Sequence, residues 1–176
     1  MTLEDKIDRR LNNPYWIKRT HEIVKYSPDG YDKNGVYHLD EWSSVYDVGK
    51  SFSGIVLTED AYQKVENNYI DCAVDILTQS DCKFLTIGYI EDYDHIGYNY
   101  KSRVSKAKVA TILRDMLREK VFCVLINLKR KVMIYVEEDY YMHIDCPIDI
   151  ASLKALVEIH NLHLNPRAKI IRKYIF

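Results

Sequence analysis

The most regular apolar spacing in the chain lies between residues 58 and 78, where Ala61, Tyr62, Val65, Tyr69, Ala73, Val74 and Leu77 recur at intervals of three and four. That period places one stripe on one helix face. Thr58 offers a capping hydroxyl, and Glu59 and Asp60 suit the positive end of the helix dipole. A second helix is predicted over residues 102–120, with Val104, Ala107, Ile112, Leu113, Met116 and Leu117 inward and Lys106, Lys108, Arg114 and Arg118 outward. A third is capped by Asp149, carries Ile150, Leu153, Leu156, Val157 and His160 on one face, and ends before Pro166. A short helix over residues 3–11 rests on Leu3, Ile7 and Leu11 and stops at Asn12-Asn13-Pro14.

Strand patterns fill the intervals. Residues 83–90 read as one strand. Residues 121–128 are almost wholly apolar, which is expected of a central strand covered on both faces. Lys129-Arg130-Lys131 is a charged turn, and residues 132–136 return antiparallel. Residues 140–144 continue the sheet after the acidic break Glu137-Glu138-Asp139. Residues 15–26 fit helix or strand equally. The turn signals Ser27-Pro-Asp-Gly30 and Lys33-Asn-Gly35 make 27–35 a loop, with a strand expected at 36–39 and an edge strand in the tail, 168–176. The order predicts α+β: a single domain with an antiparallel β-sheet and helices packed on it, covering residues 1–176.

With 176 residues, one hydrophobic core is large enough to need no staple of metal or disulfide. The charged first turn and the shortness of every apolar run give neither a secretory signal nor a membrane span, so a cytoplasmic protein is expected. Cys72, Cys82, Cys123 and Cys146 share no CxxC spacing and read as reduced packing residues. A net charge of −1 speaks against a binder that relies on an overall positive field for nucleic acid.

Catalytic patterns are missing. His160-x-x-His163 lacks the HExxH order, and His143 and Cys146, three apart in a strand, point to opposite faces. The six glycines form no phosphate cradle, and no GxSxG is present. The expectation is no enzyme, no cofactor and no metal.

Charge and aromatic residues coincide instead. Three stretches are acidic and tyrosine-rich: 29–47, with Asp40, Glu41, Trp42 and Tyr46; 89–100, with Glu91, Asp92, Tyr93 and Asp94; and 137–149, with Glu137, Glu138 and Tyr141. The chain holds 15 tyrosines, and a phenol ring with a polar tip serves both a wet and a covered surface. These eleven residues are the candidate contacts for a basic protein partner, since opposite charge speeds and orients an encounter. The cations Lys101, Arg103, Lys106, Lys108, Arg114 and Arg118 suggest an alternative, a nucleic-acid-binding or regulatory module using the helix at 102–120.

Two stretches resemble a known group. Asp40-Glu-Trp-Ser-Ser-Val-Tyr-Asp-Val-Gly-Lys50, continued by Gly54-Ile-Val-Leu-Thr-Glu-Asp-Ala-Tyr-Gln-Lys-Val-Glu-Asn-Asn-Tyr69, resembles the immunity proteins of bacterial polymorphic toxin and contact-dependent growth inhibition systems. So does Ile112-Leu-Arg-Asp-Met-Leu-Arg-Glu-Lys-Val-Phe-Cys123 followed by Asp139-Tyr-Tyr-Met-His-Ile144. The resemblance implies a cytosolic antidote that binds the C-terminal domain of a cognate toxin and blocks its active site or substrate path. Many such toxins are nucleases with basic grooves, which acidic, aromatic loops would suit.

Overall fold

The structure is a computed structural model and describes residues 20–165 together with the single positions 2, 5 and 9. The tail strand expected at 168–176, and most of the helix expected at 3–11, lie outside the described residues. Strands β1 (His21–Val24), β2 (Ser51–Phe52) and β3 (Ile55–Val56) precede helix α1 (Glu59–Gln79). Then follow β4 (Phe84–Asp92), β5 (Arg103–Ser105), α2 (Lys106–Leu117), β6 (Val121–Asn127), β7 (Val132–Glu137), β8 (Tyr141–Asp145), α3 (Ile150–Ile159) and β9 (His163–Leu164).

Seven strands form one sheet in the order β5-β4-β6-β7-β8-β1-β9, antiparallel at every pairing, while β2 and β3 make a separate hairpin. The α+β architecture is therefore as expected, with α2 lying on β4 to β7 and α1 contacting α2 and α3. The apolar run in β6 has the meaning its sequence suggests. Cys123 and Leu125 join the helix-side core with Leu85, Ile134 and Ile144, and Val124 and Ile126 form a second cluster with Met133 and Tyr135. Successive side chains of a strand point to opposite faces, so a strand with no polar alternation must be covered on both.

Helix α1 starts where the capping signal lies, with Thr58 Oγ1 accepting from Ala61 N–H at 3.2 Å. Its buried face differs in detail: Ala61 is exposed, and Glu66, Ile70, Cys72 and Ile76 are buried. Helix α2 is shorter than 102–120. Residues Arg103–Ser105 pair with Phe84–Thr86 as an edge strand, and the Ser105 hydroxyl then accepts from Lys108 N–H to begin the helix. Val104 is thus buried from a strand, and Ala107 is exposed where Val109 takes the inward place. In α3, capped by Asp149 as expected, Ile150 is exposed, while Leu153, Leu156 and Val157 face the core.

No strand forms at 36–39. Tyr37 makes one isolated bridge to Tyr31, and its ring packs against Tyr26 and Tyr31 at 4.8 and 4.9 Å. Gly30 permits this, because a Cβ there would lie 2.2 Å from the Tyr37 ring. Val36 and Leu39 are left exposed, so the alternation in sequence does not become a ladder.

Candidate functional site

At one end of the sheet, the last residues of β4 and β7 lie beside the first residues of β6 and β8. The register pairs Glu91 with Phe122, Asp92 with Val121 and Glu137 with Tyr141. Between them opens a cleft of about 760 Å³, completed by the α2–β6 turn and by the short 3-10 turn Glu138–Tyr140. Five carboxylates line it, from Glu91, Glu119, Glu137, Glu138 and Asp139, with the rings of Tyr93, Phe122 and Tyr141. Among the described residues no lysine or arginine lines it.

The walls are held by named bonds. Glu91 accepts from the hydroxyls of Tyr89 (2.5 Å) and Tyr93 (2.8 Å), and both bonds hold its carboxyl below the usual glutamate value. Partial burial and the neighbouring Glu91 push the Tyr93 hydroxyl up to about 12, so it stays a donor at physiological pH. Glu119 accepts from the Ser44 hydroxyl at 2.6 Å, which ties the 40–47 segment to the cleft wall. The floor is fixed from inside. Tyr26 donates to the Asp139 carbonyl (2.8 Å) and buried Tyr69 to the Tyr140 carbonyl (2.7 Å), clamping a turn whose residues 139 and 140 both have positive φ.

Five of the eleven candidate contacts, Glu91, Tyr93, Glu137, Glu138 and Tyr141, meet in this cleft although they come from two separate stretches. The others do not line it. Asp92 turns back to accept from Ile96 and Gly97 N–H (2.8 and 2.7 Å), bonds that lower its pKa and shape the 93–97 loop. Asp94 is exposed within that loop, its N–H donating to the Lys120 carbonyl. Asp40 accepts from Ser53 N–H (2.6 Å), and Glu41 accepts from Lys25 and Tyr37. Trp42 packs on the core, 5.1 Å from the Tyr140 ring and 5.7 Å from Tyr62. Tyr46 is 70% exposed. Glu119 and Phe122 escaped the sequence reading. Glu119 sits between Arg118 and Lys120 and Phe122 belongs to an apolar strand, so only the fold shows that they share the cleft.

The cations assigned to a solvated helix face are largely committed elsewhere. Arg114 and Arg118 both bind Glu66, a buried acid of α1. The Arg103 guanidinium lies 3.5 Å from the Phe84 ring centroid, and Lys106 donates to Thr78. The histidine pair separates: His160 contacts Asp75 at 2.9 Å, and His163 belongs to β9. No group of three potential metal ligands occurs among the described residues, and no helix there is long and apolar enough to cross a membrane. All four cysteines are buried free thiols, and burial pushes Cys72 and Cys123 up to about 12.

Behind the cleft, on the sheet face opposite the helices, Glu22 accepts from Asn165 Nδ2 (2.7 Å) and lies 4.0 Å from His143 Nε2. Burial pushes its carboxyl above the usual value of 4.5. The native state therefore holds that proton more tightly than the unfolded chain, and stability falls as pH rises from about 4.5 through the raised pKa. Glu22→Gln keeps an acceptor for Asn165 and removes the charge. Its melting temperature should fall less steeply than wild type between about pH 4.5 and pH 7. Parallel melting curves for the two proteins across that range would show that Glu22 carries none of this dependence.

No family model, curated protein or solved structure matches the chain.

Proposed function

We propose that this protein is an immunity protein, which neutralises a toxin domain by seating a basic surface of it in the acidic cleft and so covering its active site or substrate path. The observation that carries this reading is the cleft itself, with five carboxylates, three aromatic rings and no cation among its described lining residues. A partner with clustered lysine or arginine, such as a nuclease groove, gains charge complementarity there and a faster, oriented encounter. The stretches that resemble immunity proteins meet at the same place: Ser44 bonds Glu119, and Phe122, Asp139 and Tyr141 line the wall. In the cytoplasm the protein would meet a toxin on entry.

The test is direct. A toxin domain encoded beside this gene, made as an inactive variant, should bind the protein tightly, and co-expression should restore growth of cells making the active domain. Reversing Glu91, Glu137 and Glu138 together to lysine should slow association by roughly ten-fold and flatten its salt dependence. Binding and protection that are indifferent to the triple reversal would sink the cleft as the docking surface. Lack of binding to any neighbouring toxin domain would remove the antidote reading.

A further inference from the structure

The cleft is walled by acidic and aromatic residues together. We propose that the partner enters it with an arginine side chain, whose guanidinium is taken by Glu137, with His143 behind that carboxylate, and lies against the aromatic wall of Tyr93, Phe122 and Tyr141. This rests on the docking reading for the surface, though not on the partner being a toxin.

Shape and chemistry point the same way. A volume of about 760 Å³ is in the range of pockets that enclose a drug-sized ligand, which leaves room for one long side chain and the residues beside it. A guanidinium is planar, stacks on aromatic faces and forks onto a carboxylate through two parallel N–H bonds. An ammonium can sit over a ring, but as a compact, strongly hydrated point charge it neither lies flat against the ring nor forks onto a carboxylate. A cleft that combines carboxylates with rings therefore favours arginine over lysine.

An independent observation lies behind Glu137. The His143 side chain is only 4% exposed, its ring is stacked on Tyr135 (4.6 Å, 7°), and neither ring nitrogen makes a hydrogen bond. Nε2 is directed at the cleft wall, 3.2 Å from Glu137 Oε2 but outside hydrogen-bonding alignment. A buried polar group left without a bond is costly and uncommon. A carboxylate has about four lone-pair positions, enough for a forked guanidinium and an imidazole N–H together. Turning Glu137 onto an incoming guanidinium can bring Oε2 into line with Nε2–H, so that Nε2 gains its bond when the cleft is filled. His143 then acts as a positioning residue for Glu137.

The experiment uses two probes, the N-acetyl, N-methylamide derivatives of arginine and of lysine, titrated into the isotope-labelled full chain and followed by NMR. The arginine derivative should give saturable shifts at Glu91, Tyr93, Phe122 and Glu137, and bind about five-fold or more tightly than the lysine derivative. On binding, the His143 Nε2 proton should become visible through protection from exchange. His143→Phe, which keeps a ring on Tyr135, should retain the melting temperature and lose the preference for arginine. Glu137→Gln should lose it as well. Equal binding of the two derivatives, shifts outside the cleft, or an unchanged preference in His143→Phe would each overturn the inference. A neighbouring toxin domain that binds while the arginine probe does not would remove only this inference. Saturable arginine binding with no bound toxin domain would remove only the antidote reading.

Discussion

Glu66→Ala should lower the free energy of unfolding by about 3 kcal/mol, the largest stability effect expected of any single polar substitution in this fold. Glu66 is 1% exposed on α1 and receives Arg118 Nε at 2.6 Å, Arg118 Nη2 at 3.2 Å, Arg114 Nε at 3.0 Å and the Tyr62 hydroxyl at 3.2 Å. One carboxylate thus fastens the last turn of α2 and the residue that caps it to α1. Removing one partner of a buried pair costs roughly 3–5 kcal/mol, because charge and donors remain behind without it. The low end applies here, since the arginine side chains are 41% and 29% exposed and can turn to water. Denaturant unfolding should show a lower midpoint with an unchanged slope. A loss below about 1 kcal/mol would mean that packing alone joins the two helices.

The second large effect belongs to Trp42. Its ring lies against Tyr62 and edge-on to Tyr140, and it forms one side of a cage for Lys25, whose ammonium sits 4.2 Å from the Trp42 ring centroid and 4.1 Å from Tyr26. The Lys25 side chain is 5% exposed and pairs with Glu41 at 3.1 Å. Full loss of a buried Trp costs about 3–5 kcal/mol, and for this half-buried ring Trp42→Ala should cost about 2–3 kcal/mol. Tyr46→Ala, four residues along and mostly exposed, should stay within about 0.5 kcal/mol. The pair separates framework from exposed surface within one acidic, aromatic stretch. Equal losses would show that the whole 40–47 segment is framework.

Much of the fold was legible because local signals agreed with each other. Thr58, Glu59 and Asp60 begin α1, and Lys129-Arg130-Lys131 separates the apolar runs that become β6 and β7. The errors share one cause. Arg103–Ser105 carries no propensity that excludes a helix, and only pairing with Phe84–Thr86 makes it a strand. Glu66 falls on the apolar stripe between Tyr62 and Tyr69, but its charge argues against burial, which two arginines from another element make possible. The cleft was half legible. Acidic, aromatic stretches were visible in the sequence, but their convergence depends on sheet register, and Asp40, Asp92 and Glu41 proved to be bonded to their own loops or to nearby framework groups.

The turn at Asp139 and Tyr140 is anchored by Tyr26 and Tyr69 from the protein interior, while Glu137, Glu138 and Tyr141 present their side chains to the cleft. Scaffold and cleft lining are therefore written largely in different residues of the same short segment. The outward residues can be exchanged, and the chemistry of the cleft with them, while the inward ones keep the turn in place. On the reading proposed above, a lineage could revise what this cleft accepts many times on such a frame without having to rediscover how to fold.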